Sequence, residues 1–236
     1  MKNNDVDILI VGAGASGAAA AWNLSSKNYK IVCLEQGPLL KKNSYSFARS
    51  DWEKIKQKEF NINPNIRKLK SDYPIDDSNS PISIANFNAV GGSTILYSGH
   101  FPRFHPSDFK TKTLDNTGED WPFNYKDLEP FYKINDKIMG IAGVSGDPAY
   151  PTINNLNPPV PLGLAGEKIA KGFNKLGWHW WPSYSAIATK DYKGRKKNSR
   201  ASVDKTYWPL AISRGVELRP NCRVIKITLD NFGKTN

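Results

Sequence analysis

A glycine-rich segment near the start of the chain has the residue types and the spacing that bind a pyrophosphate. Residues 12–17 read GAGASG and fit the pattern G-x-G-x-x-G directly after the apolar run Ile8–Val11. The first glycine of that pattern allows a tight turn, the second lets the backbone approach a pyrophosphate, and the third lets a helix pack closely on a strand. The candidate contacts to the ligand are Gly12, Gly14, Ala15, Ser16 and Gly17.

A carboxylate follows at the distance that this pattern requires. Glu35 ends the second apolar run, about twenty residues after the glycines. A carboxylate in that place accepts hydrogen bonds from both hydroxyls of a ribose and repels a 2′-phosphate, so we expect NADP to be disfavoured. Two alternatives stay open, namely a glycine-rich turn without a ligand and an ordinary carboxylate at the end of a strand.

A βαβ unit must position these groups. Short apolar runs predict strands over Asp7–Val11 and Lys30–Glu35, and the alanine-rich stretch Ser16–Ser25 predicts the helix between them. The pyrophosphate would then face the helix N-terminus, where unpaired N–H groups and the helix dipole favour negative charge. We therefore expect an α/β fold with a Rossmann-like βαβ unit, incomplete in this chain and interrupted by an inserted region of helices and loops.

The chain does not continue as a nicotinamide-binding domain would. Leu39–Pro81 is polar and rich in Lys, Asn, Ser and Asp, which indicates an insertion crossing the surface, with some helix over Ser50–Phe60. A nicotinamide-binding domain normally goes on alternating strand and helix. The interruption therefore favours FAD, a longer dinucleotide, over NAD.

A second loop rich in Gly, Ser and Thr lies far downstream, over Val90–Gly99. Its glycines allow a close approach of the backbone, and its hydroxyls offer polar contacts to a ligand. Taken alone, such a segment is more readily explained as a tight surface turn. Together with the first loop it supplies four further candidate contacts, which are Gly91, Gly92, Ser93 and Thr94.

The rest of the chain divides by pattern. We predict a first βαβ unit over 1–38, a polar insertion over 39–85, the second loop region over 86–110, a helical and proline-rich region on the substrate side over 111–210, and return strands over 211–236. The predicted helices and strands of the last two regions are Asp127–Met139, Gly166–Leu176, Val203–Arg214, Val216–Arg219 and Arg223–Leu229. A hairpin turn is predicted at 230–234, and the connector Asp147–Leu162 is expected to hold no helix or strand.

Composition excludes several classes of protein. The net charge is +11, but the lysines are spread along the 236 residues, so no nucleic-acid-binding patch is expected. The two cysteines lie in apolar runs and the three histidines are scattered, which argues against a disulfide and against a metal site. No apolar run is long enough to span a membrane, and too few residues precede the first glycines for a signal peptide, so we expect a cytoplasmic location.

With both loops in place, the chain resembles the glucose–methanol–choline (GMC) family of oxidoreductases, most closely its gluconate-dehydrogenase and pyranose-oxidase-like branch. The resemblance covers nearly the whole chain except the insertion. Besides the two loops, the motifs that carry it are Arg103-Phe104, Asp108-Phe109, the Trp-Pro helix entry at Trp121–Tyr132, Asn198-Ser199, Tyr207-Trp208-Pro209, Gly215–Arg219 and Cys222-Arg223-Val224.

The resemblance implies extended FAD and oxidation of an alcohol or sugar by hydride transfer to the flavin. The first loop and Glu35 would hold the ADP half, the second loop would lie against the pyrophosphate and ring, and Val224 would offer backbone groups to the adenine. A simple buried valine remains the alternative for Val224. Some relatives attach the flavin through a histidine in the second loop, but Ile95-Leu96-Tyr97 stands there, so we expect non-covalent FAD.

The chain departs from the family in its catalytic residues. The family's catalytic histidine lies in the C-terminal part, and neither His105 nor His179 has the pattern around it. His100 lies close to the second loop and is expected beyond the ring, with a contact to flavin or substrate as the less favoured alternative, so no catalytic residue is assigned. We expect a second polypeptide or a longer chain to supply that part. The alternatives are a non-catalytic flavin- or nucleotide-binding fragment and an NAD-dependent dehydrogenase.

Overall fold

The structure, a computed structural model, describes residues 5–41, 44–45, 50–70, 72 and 75–229. It consists of two compact units, the first formed by Met1–Tyr97 with Ser202–Asn236 and the second by Ser98–Ala201. The turn predicted at 230–234 lies outside the described residues. Within the described part, no helix is both long enough and apolar enough to cross a membrane.

A three-stranded parallel sheet organises the first unit. Its strands are β1 (Ile8–Val11), β2 (Ile31–Leu34) and β3 (Glu217–Arg219), in the order β1-β2-β3. The central strand β2 has its first three residues buried, as expected for an apolar run covered on both faces. The predicted α/β fold is confirmed, and β1 and β2 agree with the two predicted strands to within one residue at each end.

Helix α1 (Ala15–Leu24) joins β1 to β2 and packs against helix α7 (Tyr207–Ile212). Ala18 and Ala21 of α1 are fully buried. The rings of Trp22 and Tyr207 meet edge to face with centroids 5.7 Å apart. Helix α7 is shorter than the predicted Val203–Arg214, because a turn over 203–206 precedes it.

The insertion is more than a surface crossing, which corrects the expectation for it. It carries the two short helices α2 (Trp52–Ile55) and α3 (Pro64–Arg67). A buried apolar cluster joins the insertion to the segment that leads into the second loop, with Phe60 and Phe87 stacked at 5.6 Å. The members of this cluster are Tyr45, Trp52, Ile55, Phe60, Phe87, Ala89 and Ile95.

A buried polar network also fixes the insertion. Arg67 is ion-paired with Asp72 at 2.6 Å, and both side chains are almost fully buried. Asn88 donates to Asp72 at 2.8 Å, and Gln36 donates to Asn88 at 2.7 Å. The network therefore reaches from the insertion to the residue that follows Glu35.

The second unit is mainly helical and contains α4 (Thr111–Asp115), α5 (Tyr125–Met139) and α6 (Gly163–Leu176). Asn124 and Asp127 form the predicted capping box of α5, and Gly177 ends α6 in the left-handed region. The predicted helices here are confirmed to within a few residues. The connector 147–162 holds no helix or strand, as expected from its prolines.

A buried ion pair braces the second unit. The Arg103 guanidinium donates to Asp136 of α5 at 2.5 Å and to the hydroxyl of Tyr125 at 2.8 Å. Desolvation raises the pKa of the Asp136 carboxyl even though Arg103 lies beside it. Breaking this pair would leave a charge buried in an apolar setting, so it is costly to remove.

The last predicted strand, Arg223–Leu229, does not form in the described residues. Ile225, Ile227 and Leu229 alternate along it and are 60–90% exposed. An extended segment becomes a strand only where a neighbour takes its backbone hydrogen bonds, and no strand of the described chain pairs with 223–228.

Candidate nucleotide-binding site

The first glycine loop has the backbone geometry that its sequence pattern predicts. Gly12 turns the chain off β1 at a φ of +96°, a value that a side chain rarely tolerates, and its N–H donates to Leu34 O at 2.8 Å. A Cβ built on Gly17 would lie 2.0 Å from Gly12 O, so α1 approaches the loop as closely as only glycine permits. The turn therefore requires glycine at position 12, and the close packing of α1 on the loop requires glycine at position 17.

Open space lies in front of the remaining glycine. A Cβ built on Gly14 meets nothing within 4 Å, and the same holds at Gly12. Gly14 is the N-cap of α1 and has no side chain to bond the first N–H groups of the helix, which include those of Ser16 and Gly17. Bare backbone, unpaired N–H groups and the positive end of the helix dipole together make an anion site.

Glu35 lies against this loop and is only 6% exposed. One carboxylate oxygen accepts the Ala13 N–H at 2.7 Å, and the other accepts the Gly37 N–H at 2.7 Å. An ionised carboxylate offers about four acceptor positions, so roughly two remain for other donors. The carboxylate therefore shapes the loop and can still accept hydrogen bonds from ribose hydroxyls.

The second glycine loop is in direct contact with the first. The Gly91 N–H donates to Ala13 O at 3.0 Å, and a Cβ built on Gly92 would lie 3.0 Å from the Cα of Gly14. Gly91 and Gly92 have φ values of +106° and +54° and lead into a 3₁₀ helix, Gly92–Ile95. The structure thus brings together two loops that are about eighty residues apart in the sequence.

The hydroxyl residues of the second loop differ in their surroundings. Thr94 Oγ1 donates to Gly91 O at 2.6 Å and accepts the Val203 N–H at 3.1 Å, so it ties the loop to the return segment. Ser93 is exposed. Ser93 is therefore the residue of this pair that has its hydroxyl available to a ligand.

The return segment adds residues that the motifs did not identify as part of the site. Trp208 is 1% exposed, and its indole N–H donates to Ala13 O at 2.9 Å. Beyond β3, the Cys222 N–H donates to Glu35 O at 2.8 Å. Val224 follows two residues later and is half-buried. The Tyr-Trp-Pro motif drew attention to Trp208 in the sequence, but no sequence pattern indicated that its indole N–H bonds to Ala13 O.

Two buried polar atoms beside the second loop have no hydrogen-bond partner among the described residues, and these are Ser202 Oγ and Asp204 Oδ1. A Cβ built on Gly91 would lie 3.2 Å from that Asp204 oxygen. The other oxygen of Asp204 accepts the hydroxyl of Tyr45. Unsatisfied buried polar atoms are rare in native proteins.

These features together fit a nucleotide with a pyrophosphate. The open space before Gly14 suits a phosphate, and the remaining acceptor positions of Glu35 suit a ribose. Behind the site, burial and the nearby Glu35 carboxylate raise the pKa of the Cys33 thiol to about 12. Cys33 is therefore a protonated, inert part of the sheet at neutral pH.

The three histidines all lie in the second unit. His100 Nδ1 is 2.6 Å from Ser183 Oγ, and His105 stacks on Tyr150 with ring centroids 4.0 Å apart. His179 Nε2 is 3.1 Å from the buried Asp147 carboxylate. Each histidine therefore has a structural partner within its own unit, and none is assigned a catalytic role.

Comparison with known proteins finds a Rossmann-like family model and relatives that are named as oxidoreductases. Residues 10–69 match the family model of an NAD(P)-binding Rossmann-like domain. The chain is 38% identical to the 2-methyl-1,2-propanediol dehydrogenase of Mycolicibacterium austroafricanum, over 97% of the chain and 44% of that protein. It is 26% identical to the fructose dehydrogenase large subunit of Gluconobacter japonicus, over 80% of the chain and 38% of that protein.

A solved structure shows the same fold. The crystal structure of pyridoxine 4-oxidase from Mesorbium loti matches with a TM-score of 0.59 and 18% identity, over 96% of the chain and 44% of that structure. The chain thus spans less than half of the length of the relatives that it matches.

Proposed function

We propose that this chain, which is homologous to the GMC-type oxidoreductases over nearly all of its length, forms the FAD-binding part of an enzyme that oxidises CH–OH groups. The observation that carries the proposal is the contact between the two glycine loops, with Glu35 bonded to the first of them. A nucleotide bound at the first loop would also lie next to the second loop.

The assignment of FAD rather than NAD is supported by the course of the chain after β2. The insertion and its buried cluster follow β2, whereas a nicotinamide-binding domain would continue with another helix and strand. The second loop then returns to the first and extends the site beyond the ADP half. FAD, when bound, supplies the group that accepts a hydride from the alcohol carbon.

The residues of this chain would bind and orient the cofactor. Gly12, Gly14 and the first N–H groups of α1 would receive the pyrophosphate, and Glu35 the ribose. Ser93 would contact the cofactor beyond the pyrophosphate, and Val224 the adenine. A histidine that takes the hydroxyl proton would come from the part of the enzyme that the relatives have and this chain does not match.

The substrate class that we propose is an alcohol or a sugar. The relatives named above are a diol dehydrogenase and a fructose dehydrogenase, and the structural neighbour is an oxidase of pyridoxine. All three names refer to compounds with CH–OH groups. A partner polypeptide that completes the enzyme remains part of the proposal, as does a small-molecule substrate.

The glycines allow a test that separates cofactor binding from folding. A methyl group at Gly14 meets no protein atom, so Gly14→Ala should keep its free energy of unfolding and lose FAD binding. Gly172→Ala adds a methyl to open space in α6 and serves as the control. FAD binding is followed by flavin fluorescence quenching, and stability by urea unfolding. Full FAD binding by a folded Gly14→Ala variant would overturn the proposal.

A second candidate is a nicotinamide-dependent dehydrogenase, which the name of the matched family model favours. Separate titrations with FAD, NAD and NADP, followed by flavin or tryptophan fluorescence, distinguish the two. We expect FAD to bind and NAD to show no saturable binding. Flavin binding without reduction of the flavin by any alcohol or sugar, in the presence of the completing polypeptide, would instead indicate a non-catalytic binding protein.

A further inference from the structure

A cleft in the second unit is not used by the proposed function. Its walls include four consecutive residues whose sequence is Trp-His-Trp-Trp, and its volume is about 490 Å³. We refer to it as the tryptophan cleft, and the residues that define it are Val144, Asn174, Trp178, His179, Trp180, Trp181 and Pro182. The cleft is mostly apolar and open to solvent on one side.

The indoles of the cleft are held in place by their polar edges. Trp180 Nε1 donates to Asn174 Oδ1 at 2.7 Å, and Trp181 Nε1 donates to Val144 O at 2.9 Å. These bonds satisfy the only polar atom of each indole and fix the orientation of the rings. Aromatic faces fixed before a ligand arrives bind it without a further cost in side-chain entropy.

The third indole is the most accessible one. Trp178 is 61% exposed and packs on Phe173 of α6 with centroids 5.7 Å apart. Because most of the Trp178 side chain stays exposed to solvent after folding, it contributes little to the stability of the unit. Its exposed face is therefore available to a ligand at low structural cost.

Two polar groups accompany these aromatic faces. His179 Nε2 faces the buried carboxylate of Asp147 at 3.1 Å, which in the neutral ring leaves Nδ1 as an acceptor. Asn174 accepts from Trp180 through its oxygen, so its amide NH₂ remains a donor. The described residues that line the cleft include no lysine, arginine, aspartate or glutamate.

We propose that the tryptophan cleft binds a sugar ring, with an apolar C–H face of the ring on an indole and ring hydroxyls on His179 and Asn174. A pyranose has one apolar face and a rim of hydroxyls, which matches apolar walls, one donor, one acceptor and an open side. The absence of lysine and arginine from the lining disfavours an anionic ligand. This inference rests on the second unit alone and is independent of the cofactor assignment.

The test is ligand-observed NMR with methyl β-D-glucopyranoside and the whole chain, with dissociation constants from titration. Trp178→Ala should weaken binding by about fivefold to tenfold, since one aromatic stacking contact is lost. Trp121→Ala is the control, because Trp121 is 52% exposed in the same unit but does not line the cleft. Circular dichroism establishes that both variants are folded.

Further arms identify the ligand class. Sorbitol has similar hydroxyls but no ring face and should not bind, and His179→Phe should weaken glucoside binding while keeping the aromatic volume. The proposal is overturned if the parent chain does not bind the glucoside, if sorbitol binds equally well, or if Trp178→Ala and Trp121→Ala bind alike. Binding of pyridoxine but not of the glucoside would also overturn it, since the cleft would then take a planar aromatic alcohol.

Discussion

The indole N–H of Trp208 donates to the carbonyl oxygen of Ala13 at 2.9 Å and joins residues that are 195 positions apart. The same oxygen accepts the Gly91 N–H at 3.0 Å, while the Ala13 N–H donates to Glu35 at 2.7 Å. One residue of the first loop is thus held by Glu35, which directly follows β2, by the second loop and by α7. The shape of the loop depends on all three segments of the first unit.

Replacing Trp208 by phenylalanine should loosen this loop. The carbonyl of Ala13 loses one of two donors inside the protein, and we expect the free energy of unfolding to fall by about 1–3 kcal/mol. We also expect weaker FAD binding, because the loop is no longer fixed before the cofactor arrives. Urea unfolding and flavin titration measure the two effects.

Trp22→Phe is the matched control for this change. Trp22 of α1 packs on Tyr207, which lies beside Trp208 in α7. No hydrogen bond of the Trp22 indole N–H is seen in the described structure. The control should lose packing contacts and keep the affinity for FAD. Equal loss of flavin affinity in both variants would show that the bond to Ala13 does not position the loop.

Replacing Glu35 by glutamine should affect both folding and binding. Each carboxylate oxygen accepts a backbone N–H at 2.7 Å, and the NH₂ of glutamine would face one of those donors. We expect a loss of about 1–3 kcal/mol in the free energy of unfolding, since a buried donor is left unpaired. Binding of ADP, which tests the ribose contact without the flavin, should weaken as well; unchanged ADP affinity in Glu35→Gln would contradict the ribose assignment.

The first βαβ unit could be predicted from the sequence because its signals are local. The spacing of Gly12, Gly14 and Gly17 fixes the turn, the alanines mark α1, and Glu35 ends the apolar run of β2. The capping box at Asn124 and the stop at Gly177 are local as well. Such patterns need no knowledge of what the rest of the chain does.

The contacts that complete the site could not be predicted in this way. The bond from Trp208 to Ala13 depends on the tertiary fold, and no spacing in the sequence encodes it. The average polarity of the insertion concealed Tyr45, Trp52, Ile55 and Phe60, which are buried. The segment after Cys222 has the apolar alternation of a strand, but pairing requires a neighbour that the local pattern cannot show.

Stability should depend on the ionisation of Asp72. Burial alone would raise the pKa of its carboxyl, but hydrogen bonds from Arg67, the Leu69 N–H and Asn88 outweigh burial and lower the pKa. A pKa that is lower in the folded state gives stability that is present above the unfolded pKa of about 3.9 and is lost as the pH falls through the folded value. We therefore expect the free energy of unfolding to fall below about pH 4.

Urea unfolding at pH values from neutral to acidic measures this effect in the parent and in Asp72→Asn. The variant leaves Arg67 buried without its partner, so it should be less stable at pH 7 and less sensitive to acid. Glu59→Gln, at an exposed carboxylate, should behave as the parent does. An acid dependence that is as steep in Asp72→Asn as in the parent would assign the effect to other carboxylates.

The two cysteines should react at very different rates. Cys33 is fully buried in β2 and the pKa of its thiol is raised to about 12, whereas Cys222 is only half-buried in the return segment. Iodoacetamide should therefore label Cys222 in the native protein and reach Cys33 only when the sheet opens. Peptide mass spectrometry after timed labelling gives both rates.

Added FAD connects this labelling to the proposed site. A ligand that binds only the folded state lowers the population of the open state, so saturating FAD should slow the labelling of Cys33 in the parent. In Gly14→Ala the same addition should have no effect, because the methyl group occupies the place of the pyrophosphate. Labelling of Cys33 as fast as that of Cys222 would contradict its burial, and protection by FAD in Gly14→Ala would place the cofactor away from the first loop.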